Sequence, residues 1–281
     1  MVTRRAFGVY AASLTLPTTA QTSNTTKLVE DPFPPLPSDL AAANREPDFF
    51  STELQQTVLG KEDPGKERRE FARAIMDAAP KNCRPVDVAY YFRDLGKGST
   101  QFGNEGRPYA RGWPRLYNPL IIELFKTTHL NPLAPGLTGD ATAWCAAFVN
   151  YCIARAVSRD GKIGDAERAK GTGSASSGSF RCYGREVKGG NPAEGDIAVW
   201  ALDGTVQQCR PGQGHVGFYV APSEDTRKPY FILGGNQSGD VLAATQTRND
   251  GVFLKAMPVQ FIAQEQPRRY KRLLSFRTAY L

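Results

Sequence analysis

Histidine is nearly absent from this chain: His129 and His215 are the only two in 281 residues. A reaction that needs an imidazole base therefore has two places to find one. Cysteine is sparse as well. Cys83, Cys145, Cys152, Cys182 and Cys209 make five, too few for a disulfide-stapled scaffold and an odd number that cannot all be bridged within one chain. No Cys/His spacing suits zinc, so the sequence points to no metal and no cofactor. No apolar run reaches the ~18 residues of a spanning helix, which predicts no stable membrane insertion once any N-terminal signal is removed. Nucleic-acid-binding motifs are missing too. The formal charge of +7 suits polyanions in general and does not by itself argue for nucleic acid. Internal repeats are absent.

What is present begins with an address. Thr3-Arg4-Arg5-Ala6-Phe7 precedes a weakly apolar stretch from Gly8 to Leu16, and Thr18-Thr19-Ala20 then offers small residues for cleavage. That order is the layout of a twin-arginine export signal over residues 1–20. Its removal takes away Arg4 and Arg5 and no acids, so the charge becomes +7 − 2 = +5. Twin-arginine cargo folds before export, so the fold should not depend on disulfides. Residues 21–65 read as a linker: Asp31-Pro32-Phe33-Pro34-Pro35-Leu36-Pro37 favours extended polyproline geometry, and its flanks lack periodicity. The remainder, 66–281, is long enough for one well-buried domain, and 41% hydrophobic with 22% charged residues is ordinary for a globular one.

Helices come first in that domain. Phe71, Ala72, Ile75 and Met76 make one apolar face from about Lys66, Pro85 opens a helix over Val86–Leu95 that Gly96 and Gly98 stop, and a third covers Pro119–Thr127. A fourth begins near Thr142, a candidate N-cap, and is apolar nearly all round, as expected of a helix buried on most faces. Gly171–Ser179 reads as a flexible loop. Period-two segments follow at Ile197–Trp200, Val216–Val220, Tyr230–Leu233, Val252–Leu254 and Leu273–Phe276. Helices followed by antiparallel strands make the fold class α+β.

Three residues in chain order carry chemistry. Cys145 falls in the first turn of the fourth helix, where unsatisfied N–H groups favour a thiolate and can hold an oxyanion. His215 shares a strand face with Gly217 and Tyr219, opposite Val216, Phe218 and Val220, and its glycine neighbours leave room for a partner. His129 closes a helix and suits its dipole, so it receives no catalytic role. Asn236 follows Gly234-Gly235 at a turn off a strand, where it can accept the imidazole N–H, and Gln237 can do the same or polarise an oxyanion. Each has a plainer use: a buried small hydrophobe, a structural histidine, a tight turn. Asp196 reads as a turn former.

At these residues a family becomes recognisable. Gly112-Trp113-Pro114 and Asn118-Pro119, then the strings WCAAFVN (144–150), GTGSA (171–175), GDI (195–197), GHVGFY (214–219) and LGGNQS (233–238), resemble the NlpC-type and CHAP-type cysteine peptidases of bacterial cell walls. The resemblance covers roughly 66–276. It implies a papain-like fold with the nucleophile helix packed on a small antiparallel sheet, and hydrolysis of amide bonds in peptidoglycan stem peptides or at the glycan–peptide junction. It maps Cys145 as nucleophile, His215 as base and Asn236 as third member, with Trp144, Tyr219 and Gln237 in the same strings as substrate-contact candidates. The partner implied is peptidoglycan, with a periplasmic or wall-associated location. Departures lie at Ser176–Cys182, where alternating Ala and Arg are expected, and in the longer insert Leu202–Gln213. A non-catalytic wall-binding module of the same fold and a thiol acyltransferase remain as alternatives.

Overall fold

The computed structural model describes residues 28, 36–41, 61–202, 212–238, 250–264 and 269–279. Residues 1–20, read from sequence as an export signal, and most of 21–65, read as a linker, lie outside the described residues. Within the linker, however, Ser38–Ala41 forms a helical turn (α1), and Leu36 and Leu40 are buried in the core. Arg68 reaches Asp39 of this turn at 2.8 Å.

α2 (Lys66–Ala78) and α3 (Pro85–Lys97) follow the sequence pattern. Pro85 takes the first helical position, Arg84 and Asp87 close the N-terminus reciprocally, and the chain runs through Gly96 to stop at Gly98 in the left-handed region. α4 (Pro119–Leu124) runs on as a 3-10 turn, Phe125–Thr127. Asn118 caps it by accepting the Leu120 N–H at 2.9 Å, while its own amide donates to the carbonyls of Tyr109 and Arg111. Asp140 accepts the N–H groups of Asn118 (2.8 Å) and Trp113 (3.3 Å). Both side chains are fully buried, so this cluster satisfies a turn that water cannot reach.

α5 (Cys145–Val157) is the axis of the domain. Every residue from Cys145 to Ala156 is buried, as its all-round apolar sequence predicts. Arg155, itself buried, turns back to the C-terminal carbonyls of α2, donating to Asp77 (2.7 Å) and Ala79 (2.6 Å) that the helix alone would leave open.

The strands are β1 (Arg185–Glu186), β2 (Ile197–Leu202), β3 (Gly214–Pro222), β4 (Tyr230–Ser238), β5 (Asp250–Met257), β6 (Gln260–Gln264) and β7 (Arg269–Thr278). They form one antiparallel sheet in the order β1-β7-β2-β3-β4-β5, with β6 beside the first half of β7. One face meets the helices through Ile197, Val199, Val216, Phe218, Leu233 and Leu254. The other carries a second cluster of Ala198, Trp200, Tyr219, Ile232 and Phe276. The domain is α+β, helices on one face of an antiparallel sheet. Asp196 shapes the turn into β2, accepting the Ala193 N–H and the Thr278 hydroxyl, each at 2.7 Å.

Three glycines set how closely the layers approach. A Cβ on Gly217 would stand 2.8 Å from Ile232 Cγ2, and one on Gly214 would enter the Trp200 carbonyl. The room beside His215 is thus taken by neighbouring strands, correcting the expectation that these glycines leave space for a ligand. A Cβ on Gly235 would lie 2.8 Å from Phe148 Cβ and drive into the Trp144 ring. Gly235→Ala should therefore destabilise the protein by about 1–3 kcal/mol through overpacking between β4 and α5. Urea unfolding measures this, and unchanged stability would contradict the close approach.

Candidate active site

The first turn of α5 meets the end of the sheet at which β2 finishes and β3 and β7 begin. The helix starts at Cys145, with Trp144 in the cap position and no side-chain cap bond. The expected cap at Thr142 is not made, and Cys145 is the first helical residue. The reason is local: Gly139–Ala141 forms a 3-10 turn, and the Thr142 hydroxyl is used backwards, accepting the Thr138 N–H at 3.3 Å. With no cap, first-turn amides stay available to an anion. Trp144 fixes the helix start by donating from its indole to Asp250 at 2.9 Å and setting its ring edge-on to Phe148.

Cys145 lines a cavity of about 680 Å³ together with Gly214, Lys271, His129, Thr142 and Ser177, among others. The far wall is the Gly171–Ser179 segment, read from sequence as flexible. It is instead clamped to α5 by Asn150. The Asn150 carbonyl oxygen accepts the N–H of Thr172 (2.6 Å) and Gly173 (3.3 Å), and its amide donates to Ser174 O (3.0 Å) and Ala146 O (2.9 Å). This is the physical link between the last residue of WCAAFVN and the string GTGSA. The Ser176 hydroxyl then ties the wall to Gly212. His129, exposed at the helix end as expected, forms part of this wall and donates its N–H to Gly173 O at 2.9 Å.

His215 is buried and does not itself line the cavity. Its ring leans on Trp200 with centroids 5.9 Å apart, and its Nε2 has no hydrogen-bond partner. Burial, with the charges of Lys271 and Lys255 adding to it, depresses its pKa to about 3. The imidazole is therefore neutral at ordinary pH. Burial also raises the Cys145 thiol, against the opposing pull of Lys271 and the backbone N–H groups of Val216, Ala146 and Cys145. The thiol thus reaches the backbone one residue past His215. Desolvation outweighs the helix start, so the expected thiolate is replaced at rest by a neutral thiol.

Asn236 sits inside β4, not at a turn beyond it, in a bulge between Gly234 and Gln237, with φ of 56° and a half-buried side chain. The paired part of β3 and β4 begins at Phe218 and Leu233, three residues along each strand from His215 and Asn236. Gln237 is buried, donating to Ile232 O at 3.3 Å, with its carbonyl oxygen unpartnered. The structure thus gathers Cys145 and the start of β3 at the cavity and brings both amide residues to the His215 end of β4. Trp144 and Tyr219 it does not bring: both are buried, Trp144 under the helix start and Tyr219 against Tyr230 and Phe276 in the second cluster. Lys271 escaped sequence reading, since only the sheet order places β7 next to this site. Cys83, Cys145 and Cys152 are free and Cys182 is disulfide-bonded. Among the described residues no cluster of His, Cys, Asp or Glu is placed to hold a metal, and no helix is long and apolar enough to cross a membrane.

Compared with known families, residues 137–236 match the CHAP domain. The matched segment holds Cys145, His215 and Asn236 and ends one residue before Gln237. No curated protein and no solved structure matches the chain. The match agrees with a CHAP-like cell-wall peptidase, and at that coarse level it indicates a hydrolase acting on peptidoglycan.

The raised thiol has a direct consequence for pH. Alkylation of Cys145 by iodoacetamide, followed by peptide mapping, should be slow at neutral pH. It should climb about tenfold per pH unit up to a midpoint above the ordinary thiol value of 9.0. A rate already at its plateau near neutral pH would show a resting thiolate and contradict the burial argument.

Proposed function

We propose that this chain is an exported cysteine hydrolase that cleaves amide bonds in peptidoglycan peptides, as an endopeptidase or amidase, through Cys145, His215 and an amide residue of β4. The observation that carries the reading is the free thiol at an uncapped helix start, opening on a cavity beside the strand that holds His215.

In this reading His215 takes the Cys145 proton as the sulfur attacks the amide carbonyl. The imidazole must come within about 3 Å of sulfur to do so, and its unpartnered Nε2 has no hydrogen bond to give up. Proton transfer during attack fits a neutral resting pair better than a stored ion pair. First-turn N–H groups of α5 then hold the oxyanion. The amine leaves with the proton carried by His215, and water, deprotonated by the same ring, hydrolyses the thioester. Asn236, on the strand next to that of His215, would fix the ring, with Gln237 as the other candidate. Export through the Arg4-Arg5 segment and the basic charge both suit an anionic wall.

One observation favours a second reading. The Nε2 of His215 has no hydrogen-bond partner, as expected of a wall-binding module that keeps the fold without the chemistry. Digestion of purified peptidoglycan by the full chain, beside Cys145→Ala, separates the two. New fragments released only by the unaltered protein are expected, with a loss of at least about 10³-fold in the variant. Equal binding of peptidoglycan by both proteins with no fragments from either would overturn the hydrolase.

A further inference from the structure

The cavity beside Cys145 has an uneven electrostatic character. Among the described residues no aspartate or glutamate lines it, and Lys271 is the one Lys or Arg that does. The remaining wall is small or hydroxyl-bearing: Ser174, Ser176, Ser177, Thr142 and glycines that let a backbone come close. Lys271 lies early in β7, opposite Leu202 on one side and Phe261 on the other. Its ammonium sits 5.7 Å from the centre of the Phe261 ring, which steadies the charge without neutralising it. No carboxylate of the described residues pairs with it. The side chain is only half-buried. A lysine kept without an acid at the rim of a cavity that holds a nucleophile is arranged to receive an anion from outside.

We propose that Lys271 is the anion-recognising residue of this site and takes a carboxylate carried by the substrate peptide beside the scissile amide. The proposal deepens the hydrolase reading by naming the substrate class, and it rests on that reading only for turnover, not for binding. Peptides of this kind carry free carboxylates, and their amidated counterparts keep the shape while losing the charge. An ammonium is a compact point charge that can follow a carboxylate through small changes of pose, so the contact selects charge more than geometry. Two plainer roles predict something else. A lysine whose stem merely covers Phe261 would matter equally to every ligand. A lysine that only favours the thiolate would change rates without distinguishing acid from amide.

The test uses a synthetic stem tetrapeptide in its free-acid form and the same peptide with every carboxylate converted to the primary amide. Each is titrated calorimetrically into the full chain carrying Cys145→Ala, with and without Lys271→Met or Lys271→Arg. The free acid should bind about tenfold tighter or more, as expected for one charge-assisted contact. Lys271→Met should abolish that preference and Lys271→Arg restore most of it. A preference that survives Lys271→Met, no preference in the parent, or no binding of either peptide would overturn the proposal. Initial rates with Cys145 intact keep the two readings apart. Discrimination in binding without turnover would leave the anion site and remove the hydrolase. Turnover at equal rates for both peptides would leave the hydrolase and remove the anion site.

Discussion

Close approach of β4 to the first turn of α5 is the constraint on which the site depends. Gly235 lies under Trp144 and Phe148 with no space for a methyl group, and Trp144 is tied to Asp250 at the start of β5. These contacts seat the helix start against the sheet end, so Cys145 reaches the backbone of β3. The bulge at Gly234–Gln237 follows from the same packing. A strand pressed this tightly on a helix needs glycine at the contact, and the extra residue is absorbed where Asn236 takes a left-handed conformation.

Burial gives the site its resting state. A helix enclosed on every face holds its first residue away from water, and that cost to the thiolate exceeds what the uncapped amides return. The same enclosure keeps His215 neutral. Under the proposed function, these are the forms a concerted transfer would use, thiol as donor and imidazole as acceptor. Asn150 extends this order outward: by clamping Thr172–Ser174 to the helix it turns a glycine- and serine-rich segment into a fixed cavity wall.

Much of the scaffold was legible in the sequence because it rests on local periodicity. The helices from Lys66, Pro85 and Pro119, the enclosed helix after Trp144 and five of the strands all appear where apolar spacing puts them. β1 and β6 were missed, the first for its two-residue length and the second as a short segment paired with β7. The order Cys145, His215, Asn236 was legible in the sequence and falls within the segment that matches the CHAP domain. What lay beyond reach came from contacts distant in the chain. Thr142 has the composition of a cap but spends its hydroxyl on Thr138, the glycines around His215 serve strand packing, and Lys271 enters the site only through the pairing of β7 with β2. The thiolate expectation failed for the same reason, since a helix start is local and desolvation is not.

The account stands on Cys145 forming a bond to the acyl group it attacks. Rapid acid quench of the full chain with a stem-peptide substrate, then intact-mass and peptide mapping, reads that bond directly. A mass increment equal to the acyl fragment on the peptide containing Cys145, absent when His215 is replaced by alanine, is the predicted result. Product formation with no adduct on Cys145, or an adduct that forms equally well without His215, would contradict it.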